Sequence, residues 1–340
     1  MKNKDFRRRR FIFAFLIIAI LLFFSIIINL VSGSVDFTLK DLVEVLFKNR
    51  ELSKLEYNIL YKIRIPRILA AMLYGAALSI SGFLLQTFFR NPIVGPSVLG
   101  ISSGAKLFVG LIVLTNLTNN IKTNSLFLLF TASMIGSLLS MFIVLLFARK
   151  TENLSMLVVI GIMIGYIASA ITNFLITFAA EHKIVGMAMW GLGSFSGVNW
   201  NMLRVSAIII IPSIICSYFI SKPLQAFLLG ENYAMSLGIN IKKFRVVLII
   251  LSSILTACVT AFAGPISFVG IAVPHLARLS FKTANPKVLV PAIAITGSTF
   301  CLISDYFART LFSPIELNIS VITSLIGAPI VIYLMSRRKK

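Results

Sequence analysis

Apolar runs about 20 residues long, enough to cross a bilayer as a helix, recur along the whole chain between short polar segments. The run from Ile68 to Phe89 carries no charge and is opened by Arg64 and Arg67, about one helical turn apart. Gly75 and Gly82 lie inside it, where small residues let helix backbones approach closely in lipid. The turn Arg90-Asn91-Pro92-Ile93-Val94-Gly95-Pro96 ends it, and another apolar run starts near Ser97. Together the runs predict ten transmembrane helices. Six lie at about 11–31, 68–89, 97–116, 124–147, 154–179 and 202–219, two share Val246 to Ala277, and two lie at 288–307 and 317–335. The Val246–Ala277 run is too long for one crossing, and Gly264-Pro265 with Pro274 divides it. The expected fold is all-α, a single polytopic membrane domain over residues 1–340.

Composition and charge then add orientation. Only 13% of residues are charged and the mean hydropathy is +0.96, whereas a soluble domain carries about 25% charge. A net charge of +21 would suggest nucleic acid in a soluble protein. Here the basic residues flank apolar spans, so membrane lipid is the expected contact and nucleic acid is not. With the N-terminus inside, nineteen of the 32 Lys and Arg fall in inner segments and ten in outer ones. Both termini are therefore expected in the cytoplasm, in a multi-pass protein of the cytoplasmic membrane. The run after Arg7–Arg10 is longer than a signal-peptide core and no A-x-A site follows, which predicts a retained first helix. Segment 33–63, with Asp36, Asp41, Glu44, Glu51 and Glu56, becomes an external amphipathic stretch.

Candidate chemistry is sparse. Cys216, Cys258 and Cys301 all lie in apolar runs and read as inert buried thiols. His182 reads as an exposed loop residue, and His275, after Pro274, as satisfying a local hydrogen bond at a helix break. Neither has ligand company, so no metal and no cofactor is expected. No G-x-x-x-x-G-K-[ST] occurs, which excludes ATP hydrolysis on this chain by the P-loop route. No cluster suits an intramembrane enzyme. An ion-coupled secondary transporter needs ionisable groups mid-membrane, yet only Asp305 of the eleven acidic residues lies in a span, near its end. Lys106, within the third run, either snorkels or reaches an aqueous lumen. Asn91, Ile93 and Asn153, at inner helix ends, are gate-lining candidates or simple caps.

Two further patterns concern organisation. Gly95-Pro96 with Gly100, and Gly264-Pro265 with Gly270, open helices in the two halves of the chain, the pattern of an inverted-topology repeat or of the Gly and Pro that are frequent at membrane helix ends. In the inner segment 221–243, Leu224, Phe227 and Leu228 fall at i, i+3 and i+4, giving one short helix an apolar face. Gly230 ends it, and Glu231 to Leu237 form a second short helix stopped by Gly238. An apolar face outside the lipid calls for a partner groove or a membrane surface.

Three stretches carry a resemblance: Arg64 to Gly104, A-G-P-I-S-F-V-G-I-A-V-P-H-L-A-R from Ala263 to Arg278, and Ser304 to Ile330. They resemble the FecCD family, the permease subunits of ABC importers for iron–siderophore complexes, heme and vitamin B12, and the likeness covers nearly the whole chain. The resemblance implies a second permease chain, identical or different, enclosing the pathway. It implies separate ABC ATPase subunits inside and a substrate-binding (lipo)protein outside. Arg64, Arg67 and Arg309 match the positions that meet acidic residues of the binding protein. Leu228, Gly230, Glu231, Leu237 and Gly238 fall in the loop that couples to the ATPase. The implied cargo is an iron chelate, with heme or cobalamin as the alternative. Lys106 departs from the family's small or apolar residues at its position.

Overall fold

The structure, a computed structural model, describes residues 2–33, 37–38, 40–41, 44, 53–115, 126–148 and 154–336. Among these residues the chain is helical and contains no strand. The helices are α1 (Lys2–Val31), α2 (Lys54–Phe88), α3 (Ile101–Leu114), α4 (Leu126–Ala148), α5 (Leu154–Thr177), α6 (Glu181–Gly191) and α7 (Trp200–Phe219). They continue with α8 (Ser221–Leu229), α9 (Glu231–Ser236), α10 (Ile241–Ala263), α11 (Val269–Phe281), α12 (Pro286–Thr310) and α13 (Ile319–Ser336). Seven of them (α1, α2, α4, α5, α7, α10 and α12) are long and apolar enough to cross a membrane, and α3, α11 and α13 are shorter apolar helices.

The bundle is built around α2. Its apolar window is 83% buried, against 17% for α1 and 28% for α5 and α7, so α2 is sheathed by protein while the others face outward. Glycines permit this. Gly75 lies against Gly297 of α12 and Gly82 against Gly270 of α11, so closely that a methyl group at either α2 position would overlap the facing carbonyl oxygen. With lipid outside, close packing and interhelical hydrogen bonds replace the hydrophobic drive. Ser81 Oγ donates to Ser252 O of α10 at 2.7 Å, and Ser298 Oγ of α12 donates to Met72 O at 2.7 Å. Tyr74 and Ser206 of α7 pair through their hydroxyls at 3.1 Å. The buried core, including Phe83, Leu84, Leu85 and Phe88 of α2, continues into α10, α11 and α12.

Several boundaries differ from the apolar runs. The second helix begins at Lys54 rather than near residue 68, under a capping box between Ser53 and Glu56, and passes through a π-helical turn at Asn58–Arg64. A charge-free run stops at Arg67, but this helix continues because its arginines are satisfied inside the protein. The part of segment 33–63 from residue 53 onward is therefore an extension of α2, and much of the rest lies outside the described residues. The third run yields only α3, because a 3₁₀ turn at Pro96–Leu99 and Gly100, at φ +71°, precede it. Helix α6 has no counterpart among the expected spans, and exposed His182 sits on it rather than in a loop. Cys216 is exposed on α7, while Cys258 and Cys301 are buried. Both α3 and α11 start directly after a left-handed residue, Gly100 and Phe268 respectively, a local likeness between the two Gly-Pro positions.

Gly82→Leu is expected to lower the thermal midpoint of the detergent-solubilised protein, the overlap costing about 1–3 kcal/mol or more. Gly186→Ala on α6, where a methyl group meets nothing within 4 Å, is expected to leave it unchanged or slightly raised.

Candidate functional site

Three arginines converge at one end of the bundle. Arg67, in the first turns of the apolar part of α2, grips Asp305 of α12 with two nitrogens: Nε lies 3.1 and 3.0 Å from the carboxylate oxygens and Nη2 lies 2.8 Å from Oδ1. The same Nη2 donates to Glu316, in the connection between α12 and α13. Arg309, one turn beyond Asp305, contacts its Oδ2 at 3.4 Å and donates to Ser32 O and to the side-chain oxygen of Asn29. Arg64 donates to Leu30 O at 2.5 Å and Val31 O at 3.1 Å and lies 5.1 Å from the Phe37 ring centre. Those carbonyls belong to the last turn of α1, which has no intrahelical partners for them, so the guanidinium closes the helix and meets its negative end.

The cluster is internal. Arg64 and Arg67 are only 4% and 7% exposed, Asp305 is 1% exposed, and Glu316 is the open member. Asn29, the one amide in the apolar part of α1, is buried and donates to Leu302 O of α12 at 3.0 Å. Asp305 also contacts Arg309 at i+4. The stronger partner, Arg67, comes from 238 residues away and was not visible in the chain order.

At the opposite end the short helices α8 and α9 fold against the turn that follows α2. Gly238, at φ +79°, ends α9: its N–H donates to Met235 O and the Ile239 N–H to Ala234 O, a Schellman closure. Glu231 sits in the first turn of α9, accepts two bonds of 2.8 Å from Arg245 and lies 3.7 Å from Arg90. The Arg90 guanidinium also lies 5.5 Å from the Phe227 ring centre. The end of α2 is thereby tied through Arg90 to α8, α9 and α10. Neither Arg90 nor Arg245 stands out in the sequence, where both read as ordinary inner-face basic residues.

The apolar face of α8 divides. Leu224 and Phe227 are fully buried in the bundle core, so the protein itself supplies their groove. Leu228 and Leu237 stay exposed, at 40% and 58%, beside exposed Leu229, Tyr233 and Met235. The expectation that Leu224, Phe227 and Leu228 form one partner-facing strip is corrected in this way. Asn91 caps its own turn, Oδ1 accepting from Ile93 N at 3.0 Å, and Ile93 projects outward at 53% exposure. His275 lies inside α11, which runs through Pro274 rather than breaking there, and its Nε2 lies 2.9 Å from Pro92 O. Asn153 lies outside the described residues.

A helical bundle with apolar outward faces, and charges satisfied internally at its two ends, is a multi-pass membrane protein. The chain belongs to the FecCD transport family, whose model matches residues 20–337. The vitamin B12 import system permease protein BtuC of Vibrio vulnificus is 36% identical over 287 residues, 84% of this chain and 85% of the relative. The hemin transport system permease protein HmuU of Yersinia pestis is 34% identical over 285 residues, again 84% and 85%. A solved ABC transporter of metal-chelate type, in an inward-facing conformation, superposes with a TM-score of 0.83 at 30% identity, over 94% of this chain and 97% of that one. The protein is accordingly an ABC importer permease, a transport subunit of the cell membrane.

Removing one partner of a buried ion pair strands the other. Asp305→Asn is expected to destabilise the solubilised protein by about 3–5 kcal/mol. Arg67→Met combined with Asp305→Leu is expected to cost clearly less than the two single changes added together, and thermal melts of the four proteins check it.

Proposed function

We propose that this permease carries an iron chelate, in particular an iron–siderophore complex, across the cytoplasmic membrane. The observation that carries the cargo class is the match, over nearly the full chain, to a metal-chelate type transporter. Hemin and vitamin B12, named for HmuU and BtuC, are themselves metals wrapped in organic ligands, and heme or cobalamin is the second reading these relatives favour.

In this reading both termini and α8–α9 lie in the cytoplasm and the arginine cluster faces outside. The exposed Leu228, Leu229, Tyr233, Met235 and Leu237 form the surface that meets an ATPase subunit, on which ATP is hydrolysed. Gly230 and Gly238 shape the two short helices through positive φ values, and Glu231 locks them to Arg245 and Arg90. A push from the ATPase then reaches the end of α2 through Arg90 rather than through a loose loop. Asn91 and Ile93, on the adjoining turn, and Asn153 are the gate candidates. A second permease chain completes the pathway.

At the outer end Arg64, Arg67 and Arg309 meet carboxylates of the substrate-binding protein. Because these arginines are already engaged, docking works by exchange: a partner carboxylate replaces Glu316 on Arg67, and one ion pair substitutes for another. Arginine suits this, since its planar fork holds a carboxylate in two hydrogen bonds.

Proteoliposomes holding the permease, its ATPase and its binding protein are expected to accumulate radio-iron from a ferric siderophore only with ATP inside. No ATP-driven uptake of any ferric chelate would reject the iron reading, and uptake of hemin or cobalamin instead would select the alternative. Leu237→Asp is expected to abolish co-purification of the ATPase and uptake together while leaving the thermal midpoint unchanged. Glu316→Gln is expected to tighten association with the binding protein several-fold, read by surface plasmon resonance; unchanged affinity rejects the docking role of Arg67.

A further inference from the structure

Helix α3 has two unlike faces. On one, Gly104, Leu107 and Phe108 line an apolar cleft of about 460 Å³ shared with α4 and α5, whose only polar side chain is Ser140. On the other, Ser102, Ser103 and Lys106 line a second cleft of about 380 Å³, completed by Ser267 before α11 and by Ser320 and Ser324 of α13. A lysine among Ala105, Leu107 and the apolar residues that follow is costly in a bilayer, and such residues face a water-filled cavity or a partner. Lys106 faces this cleft.

Its charge has no ion-pair partner among the described residues. Among the described residues the carboxylates of Asp305, Glu316 and Glu231 are taken by Arg67, Arg309, Arg245 and Arg90, and none pairs with Lys106. The hydroxyls of Ser102, Ser103, Ser267 and Ser324 likewise have no hydrogen-bond partner among the described residues, whereas Ser320 donates to Pro265 O at 2.8 Å. Space for the ammonium is built in. The lysine stem runs against Gly191 at the end of α6, where a Cβ would come within 2.8 Å of Lys106 Cε. A strongly hydrated ammonium with three donors, sharing one cleft with hydroxyls that have no partner among the described residues, suits oxygen-bearing anions. An uncharged cargo would leave that charge uncompensated.

We propose that Lys106, with Ser102, Ser103, Ser267 and Ser324, forms a station on the transport route that takes an anionic, oxygen-rich cargo. The station explains the lysine that the family resemblance did not, and it rests on the permease reading by assigning the charge of the cargo. Anionic oxygen groups reach it either as the ligand shell of a metal chelate or as a free inorganic oxyanion.

The test is equilibrium binding to the purified permease–ATPase complex in nanodiscs, without the binding protein. Three probes are used: a trianionic ferric tris-catecholate, molybdate and an uncharged ferric tris-hydroxamate. The native complex is expected to bind at least one anionic probe, and which one identifies the source of the anion. Lys106→Gln is expected to weaken that binding about tenfold or more, as loss of a charged hydrogen bond does, and Lys106→Arg to retain most of it. Gly191→Ala, which displaces only the flexible end of the lysine, is expected to weaken binding without lowering the thermal midpoint. Absence of anion binding to the native complex, equal binding by Lys106→Gln, or preference for the uncharged probe would each overturn the proposal. Failure of the permease reading is separate: it appears as no ATP-driven uptake by the native proteoliposomes, whatever the binding shows.

Discussion

Everything in this bundle depends on how closely α2 approaches its neighbours. Lipid gives apolar side chains no reason to leave it, so helices associate through packing and polar contacts alone. The facing glycines Gly75–Gly297 and Gly82–Gly270 bring α2 into backbone contact with α12 and α11, and the Ser298 bond to Met72 O joins the same α2–α12 pair while Ser81 bonds Ser252 O of α10. The same approach places Arg67 beside Asp305. A bulkier residue at any of these glycines would separate the helices and strand a charge.

The two ends of the bundle then solve the same problem differently. At one, guanidiniums and carboxylates neutralise each other and close the last turn of α1, leaving Glu316 as the open member. At the other, Glu231 ties α8–α9 to Arg245 and Arg90, and the apolar side chains left over face outward. The contacts of Glu231 and Arg90 make the connection from α9 to the end of α2 a direct one, as the proposed coupling role requires. Lys106 belongs to neither end, and it lines a cleft between α3 and α13.

Much of the fold was legible in the chain. Among the described residues the apolar runs fall on seven helices long enough to cross a membrane and three shorter apolar ones, and the division at Gly264-Pro265 and the stop at Gly238 follow from backbone chemistry that is local. Boundaries set by charge failed where tertiary contacts satisfy the charge. Helix α2 runs back to Lys54 because Arg64 and Arg67 find partners in α1 and α12. The apolar strip of α8 was read as exposed because its periodicity cannot say which half the bundle covers. Asn29, Arg90 and Arg245 carried no signal beyond being polar.

What the sequence alone determined is therefore what each segment has to do by itself in its solvent: cross lipid, stop at Gly or Pro, keep its basic residues near an aqueous face. These are single-segment properties, because a bilayer judges each helix separately. Which arginine takes Asp305, which glycine faces which, and which side of α3 is wet were decided only by tertiary structure. Partner choice depends on distances between helices far apart in the chain, and no periodicity encodes those.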